Sequence, residues 1–300
     1  MKIGFMLPHL HEQAHEVGRV AYFANEAEKA GAASLWVGDR NMAAVHPKIG
    51  AGGRGNTIPV EYNGPADPLI VLGVAASATT TAKLGTHVQI APLYPLLQLA
   101  RAWTTVDLMS HGRAIAGLGV GWSPEEYEAA GLDFATRGAR LDEMLDALDI
   151  VWTKDPAEYH GTYVDLALHH SPLKPVQRPR PPIYLGGSAT SALKRTGRRA
   201  DGWLTLSMLP GFMNTELIMS QRQVVDEAAR VAGRDPASIE TVMRVNVMPG
   251  VAVPQVADAV KTMHAETGIE HFAIETMFWA DKVDAALEMV HGLMPVVARG

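Results

Sequence analysis

Arg113-Ala114-Ile115-Ala116-Gly117-Leu118-Gly119-Val120-Gly121-Trp122-Ser123-Pro124-Glu125-Glu126 carries one structural unit passing into the next. Arg113 to Leu118 is an apolar run of strand length. The glycines after it let backbone turn sharply or approach a ligand closely, and Ser-Pro-Glu-Glu reads as a capping box with proline at the first helical position. A buried strand that ends in glycines and passes into a helix start is the unit from which α/β proteins are built. The helix start also favours anions. Trp122 stands where the dinucleotide fingerprint needs its last glycine, so the stretch does not specify a nicotinamide site.

Working outward, the same alternation recurs. Ile3 to Leu7 reads as a buried strand ended by Pro8. Val17, Val20, Ala21, Ala24 and Ala27 recur at helical spacing up to Gly31, and Ser34 to Val37 is a second strand. Asp67-Pro68 supplies an N-cap and first position for a helix through Ala76. Lys83 to Ile90 reads as a strand, Leu96 to Leu108 as a helix and Arg137 to Trp152 as a helix with a clean apolar stripe. Strands at Ile183–Leu185, Trp203–Leu206, Val242–Val247 and His271–Ile274 alternate with helices, including those from Thr215, after Pro254 and from Asp281. About eight strand–helix pairs predict a (β/α)8 TIM barrel in a single domain over 1–300; alternation alone is also compatible with a doubly wound open sheet. Two insertions interrupt the pattern. Arg40 to Ala66 is too long for a plain connection and has the length of a lid or binding loop. The proline-rich segment 156–182 holds a hairpin-like Tyr159-His160-Gly161-Thr162-Tyr163.

Composition narrows the function. Lys+Arg 26 against Asp+Glu 32 gives a net charge of −6, with no basic face for nucleic acid. With Cys 0, the chain has no disulfides, thiolate zinc sites, iron–sulfur clusters or Cys nucleophile. No apolar run is long enough to predict a membrane helix, the N-terminal run is too short for a signal-peptide core, and a cytoplasmic location is expected.

His11-Glu12-Gln13-Ala14-His15 matches the zinc-protease pattern. That chemistry needs both imidazoles on one helical face, and here the residues straddle a strand end with no third ligand following. We therefore read them as a helix start, predict no metal site, and keep a zinc hydrolase as a remote alternative. Gly186-Gly187-Ser188 repeats the glycine arrangement, with Ser188 as the expected N-cap of a phosphate-cradling helix or, more plainly, part of a tight turn. Asp39 and Arg40 stand at the end of the second strand and Thr86-His87-Val88-Gln89 at that of the third. In a barrel these ends open onto one face. His87 is a candidate proton carrier, although most such histidines are simply hydrogen-bonded. His169-His170 reads as surface.

These stretches, together with Ser34-Leu35-Trp36-Val37-Gly38-Asp39, Leu108-Met109-Ser110-His111-Gly112-Arg113, Arg137-Gly138-Ala139-Arg140-Leu141-Asp142-Glu143, Lys174-Pro175-Val176-Gln177 and Ala200-Asp201-Gly202-Trp203, resemble the bacterial-luciferase-like flavin and deazaflavin oxidoreductases along the whole chain. The resemblance implies a (β/α)8 barrel, a homodimer, and a bound deazaflavin coenzyme F(420) or, alternatively, FMN. It implies a non-prolyl cis peptide at His87–Val88 behind the ring. Cofactor contacts are implied from Asp39, Thr86, His87, Val88, Gln89, Gly121 and Trp122, and a phosphate site at Gly186, Gly187, Ser188 and Ala189. Asp39, Arg40 and His87 are the candidate catalytic residues. The sugar-phosphate dehydrogenases among these proteins have a histidine where this chain has Arg40 and an acid where it has Trp122, so glucose-6-phosphate oxidation is not expected. Arg outnumbers Lys 17 to 9, a composition that leans toward the deazaflavin. The expected activity is hydride transfer between F(420) and a small organic substrate. The alternatives are an FMN-dependent monooxygenase fed by a partner flavin reductase, and a binding barrel that has lost its chemistry.

Overall fold

A computed structural model describes residues 1–297; the last three residues of the expected domain lie outside the described residues. The strands are β1 (Lys2–Met6), β2 (Ser34–Val37), β3 (Lys83–Thr86), β4 (Gln89–Ile90), β5 (Ala114–Gly119), β6 (Ala157–His160), β7 (Asp165–His169), β8 (Ile183–Gly186), β9 (Gly202–Leu209), β10 (Glu240–Val247) and β11 (His271–Glu275). The helices are α1 (His11–Ala14), α2 (Val20–Lys29), α3 (Pro68–Ala78), α4 (Leu96–Met109), α5 (Pro124–Ala129), α6 (Arg137–Thr153), α7 (Thr190–Arg199), α8 (Thr215–Val231), α9 (Val253–Thr267) and α10 (Val283–Val297).

The sheet is parallel and runs β3-β2-β1-β11-β10-β9-β8-β5-β4, and a β3–β5 pairing joins its ends. The closed ring has eight staves, because β3 and β4 are two parts of one. The expected barrel is the observed fold, and the open sheet is excluded. Between the pairs Gly85↔Ile115 and Gln89↔Leu118, the third stave advances four residues while its neighbour advances three. The extra residue is a bulge that bends Thr86–Val88 out of register. Sequence periodicity reads Lys83 to Ile90 as one strand because a bulge leaves the apolar run intact.

Strands buried on both faces explain the continuous apolar runs. One face packs against the helices. The other fills the barrel with Met6, Trp36, Ile115, Tyr184, Leu204, Val242 and Ala273, with Val88 lying against this cluster. At the N-terminal ends of the strands a polar network closes the barrel. Ser34 Oγ meets His271 Nε2 at 2.7 Å and accepts the Trp36 indole N–H at 2.7 Å. Glu240 takes His271 at 3.2 Å and Lys2 at 3.0 Å, and accepts the Tyr184 hydroxyl.

The connections are held by carboxylates that accept backbone N–H groups. Asp67 caps α3 through Leu69 and Ile70, as the sequence predicts. Glu28 accepts from Thr80, Thr81 and Ala82; burial pushes its carboxyl up, but these donors outweigh it and hold the group at about 2. Glu143 on α6 accepts from Thr162, Tyr163 and Val164 and so fixes the turn of the antiparallel β6–β7 hairpin. That hairpin is the expected insertion.

Two expected caps differ. The N-cap of α7 is Ala189 rather than Ser188, so the helix begins at Thr190 with no side-chain cap. Ser123 stands at the N-cap of α5, but its hydroxyl donates to Glu125 at 2.7 Å, and Glu126 turns away to the long loop. The capping box fails because the loop's own N–H groups compete for Glu126.

Candidate active site at the barrel mouth

The C-terminal ends of the staves bring Asp39, Arg40, the Thr86–Val88 bulge, Trp122 and Gly186 to one mouth. Val88 forms its floor. A Cβ on Gly119 would lie 2.6 Å from Val88 Cγ2 and one on Gly186 would lie 2.5 Å from Val88 Cγ1, so these glycines admit the protein's own side chain. A Cβ on Gly117 would strike the Thr86 carbonyl at 1.7 Å, and the Thr86 hydroxyl donates to Gly117 O at 2.5 Å. The sequence leaves the glycines of this strand end open to a sharp backbone turn or to a ligand. The structure gives 117 and 119 to the bulge, and Gly121 (φ +65) packs toward Ile90. The His87–Val88 peptide is cis, as the resemblance implied.

His87 is turned inward with its ring edge-on to Trp36, 6.0 Å between centroids. Burial, then the charge of Arg244, then His271, hold its pKa well below the usual value, so it is neutral; its Nδ1 is buried without a hydrogen-bond partner. Gln89 faces away from the mouth and accepts the Trp103 indole N–H at 2.9 Å. His9 is locked neutral by its bonds. The Gly38 N–H donates to Nε2 at 2.8 Å, and Nδ1 therefore carries the proton given to Leu7 O at 2.6 Å. Burial lowers its pKa in the same direction.

Asp39 is partly buried. Its carboxylate accepts the Ile90 N–H at 2.8 Å and the Tyr94 hydroxyl at 3.0 Å. Burial outweighs both bonds and pushes its pKa up to about 6. Arg40 is buried, with its Nε and Nη2 donating to Met42 O at 3.0 and 2.8 Å and Nη2 lying 3.8 Å from Glu126. Its guanidinium stacks 4.0 Å from the Trp122 ring centroid. Burial pushes Arg40 down and Glu126 up, and the attraction between them opposes both shifts. The two departures seen in sequence, at 40 and 122, are thus a single contact.

Several residues that stand here are not among those the sequence motifs mark. Tyr62, from the long loop, stands edge-on to both Trp122 (6.3 Å) and Phe278 (6.0 Å). No local pattern marks a lone aromatic in a loop. Arg244 and Glu275 had a signal, since a charge inside a doubly buried strand needs a partner. Arg244 donates to Asn246 at 2.9 Å and to the His87 carbonyl at 3.2 Å. Its Nη2 approaches Glu275 Oε2 at 2.9 Å without hydrogen-bond geometry, leaving both atoms without such a partner.

Beside the floor, Gly187, Ser188, Ala189 and Thr190 are exposed, and Gly187 has φ +138. The helix α7 starts with no side-chain cap, and N–H groups at such a start can hold an anion. The zinc pattern is not assembled: α1 ends at Ala14, His15 is exposed, and among the described residues no three ligating side chains gather for a metal. Among the described residues no helix is long and apolar enough to cross a membrane.

The family model for luciferase-like monooxygenases matches residues 1–288. The chain belongs to this family. An uncharacterised protein of Mycobacterium tuberculosis is 34% identical over 164 residues, 54% of this chain and 56% of that protein, so the match spans little more than half of the relative's length. An F(420)-dependent glucose-6-phosphate dehydrogenase of Kineococcus radiotolerans is 28% identical over 244 residues, 79% of this chain and 66% of that one. Among solved luciferase-like folds, a monooxygenase from Streptomyces bottropensis superposes with a TM-score of 0.82 at 17% identity, covering 100% and 99% of the two chains. The coenzyme F(420) dependent tetrahydromethanopterin reductase of Methanopyrus kandleri gives 0.73 at 16% identity, also covering 100% and 99%.

Proposed function

We propose that this luciferase-like chain is an oxidoreductase that binds coenzyme F(420) at the barrel mouth and exchanges hydride with a small organic substrate. One observation carries the reading: Val88 packs on Gly186, and the uncapped start of α7 follows immediately. A shelf beside an anion site suits a planar ring attached to a phosphate. The N–H groups from Ser188 onward would hold the phosphate, and the Thr86–Val88 bulge would back the ring. When bound, the deazaflavin supplies the hydride chemistry. Of the candidate catalytic residues, Asp39 is partly open and changes charge near pH 6, so its carboxylate is the group suited to hold or release a proton. His87 lacks access and Arg40 is already engaged. Arg54, exposed on the long loop over Phe212, has no carboxylate in ion-pair range among the described residues and suits an anionic cofactor tail. Lys48 is less suited, being paired with Glu128.

The 28% identical F(420)-dependent relative supports the deazaflavin. Fluorescence titration tests it: F(420) is expected to bind at least tenfold tighter than FMN, a gap of about 1.4 kcal/mol. Equal or tighter FMN binding favours the second reading, an FMN-dependent monooxygenase served by a reductase. That reading draws on the same shelf and anion site, because both cofactors carry a tricyclic ring and a phosphate.

A further inference from the structure

We propose that the mouth selects an uncharged, largely apolar substrate through an aromatic wall of Trp122, Tyr62 and Phe278, with Arg40 as the positioning residue behind Trp122. The proposal rests on the reading that the mouth is the reaction site. The three rings link the end of β5 to the segment after β11 through the long loop. The floor continues their chemistry. Leu206 lies two residues beyond the barrel-filling Leu204, hence on the same face of β9, and is 50% exposed although it belongs to a central strand. An exposed leucine at that position has the open mouth above it.

Beside the aromatic wall the charges are compensated or of the wrong sign for an anion, and the unpaired Arg54 stands apart over Phe212, where the proposed cofactor tail would take it. Arg40 is covered by Trp122, Glu126 and the Met42 carbonyl, and Arg244 lies against Glu275. Asp39 is a carboxylate with two donors already. A carboxylate or phosphate on the substrate would leave water without gaining an uncompensated cation, whereas an apolar skeleton would gain contact with rings and Leu206.

Calorimetric titration of the purified chain with cyclohexanone and with cyclohexanecarboxylate compares one skeleton with and without charge. Cyclohexanone is expected to bind at least tenfold tighter. Phe278→Ala and Trp122→Ala should each weaken cyclohexanone at least fivefold. An Arg40→Met/Glu126→Gln double variant, which removes both buried charges together, should weaken cyclohexanone through loss of the stack and leave the carboxylate no weaker. The near-ultraviolet circular dichroism of the double variant reports the released Trp122. Carboxylate binding as tight as the ketone's, carboxylate binding lost in the double variant, no ketone binding, or ketone binding indifferent to the ring substitutions would each overturn the proposal. The wild-type comparison stands even where a variant fails to fold. F(420) titration separates the two readings: ketone selectivity without F(420) binding removes the cofactor assignment alone, and F(420) binding with carboxylate preference removes the wall alone.

Discussion

The two ends of the barrel solve the problem of buried polar groups in opposite ways. At the N-terminal end, Ser34, Trp36, His271, Glu240, Tyr184 and Lys2 form a network with no unpartnered side-chain atom among them. At the mouth, His87 Nδ1 is buried without a hydrogen-bond partner, Arg244 Nη2 and Glu275 Oε2 pair as charges outside hydrogen-bond geometry, and a helix start is uncapped. An unpaired buried group costs roughly 1–3 kcal/mol. A fold tolerates that where the arrangement serves something other than stability. The lower end acts as a plug, while the mouth is left with unmet polar capacity.

The sharpest way to break this contrast is Gly119→Ala. Its Cβ would meet Val88 at 2.6 Å and displace the floor. F(420) affinity is expected to fall about a hundredfold, about 2.7 kcal/mol, and a Val88→Ala/Gly119→Ala double variant should recover part of it. An unchanged dissociation constant in the single variant would separate the floor from ligand binding. At the opposite end, His271→Ala should lower unfolding free energy by about 3 kcal/mol, from the cavity and the stranded partners, while leaving F(420) affinity within twofold. Denaturant unfolding and titration of the same sample decide it.

A smaller effect comes from acid. Glu240 is held at about 2 by His271 first, with Tyr184 and Lys2 assisting against burial. Its folded value lies below the unfolded one, so its stabilisation is complete above about pH 4.5 and is lost as pH falls toward 2. With the side chain 32% exposed, screening reduces the contribution to about 2 kcal/mol. Glu240→Gln should flatten that part of the stability–pH curve. Asp39 has the opposite sign. Its pKa rises from 3.8 to about 6, so stability declines as pH climbs through that window. Asp39→Asn should remove this slope, about 2 kcal/mol after allowance for its partial exposure, together with any inflection near pH 6 in ligand affinity. A persisting inflection would move the titrating role elsewhere.

The barrel was legible because doubly buried parallel strands leave apolar runs, and because Asp67-Pro68 is a local signal with a local cause. The site was legible only where it follows the chain. Asp39, Val88 and Gly186 stand at strand ends that periodicity locates. Tyr62 and Phe278 were missed because their meeting with Trp122 depends on three segments far apart in sequence. The glycines carry the same lesson: a glycine announces that something comes close, and only the fold shows that the neighbour of Gly119 and Gly186 is Val88. The failed cap at Ser123 is instructive as well, since Glu126 obeys a local rule until Asn41 offers a better donor.

The long loop is moored by Glu126 to the N–H groups of Asn41 and Met42 and by Glu125 to that of Lys48. These anchors grip main chain, which every residue except proline provides. At Asn41, Met42 and Lys48 the side chain can therefore be exchanged without releasing these anchors. Val88, Gly119 and Gly186 have no such latitude, because a change at one must be matched at the others. The molecule thus joins a floor that can change only in concert to a roof whose backbone-anchored positions can be rewritten one residue at a time, an arrangement through which one barrel can acquire new substrates.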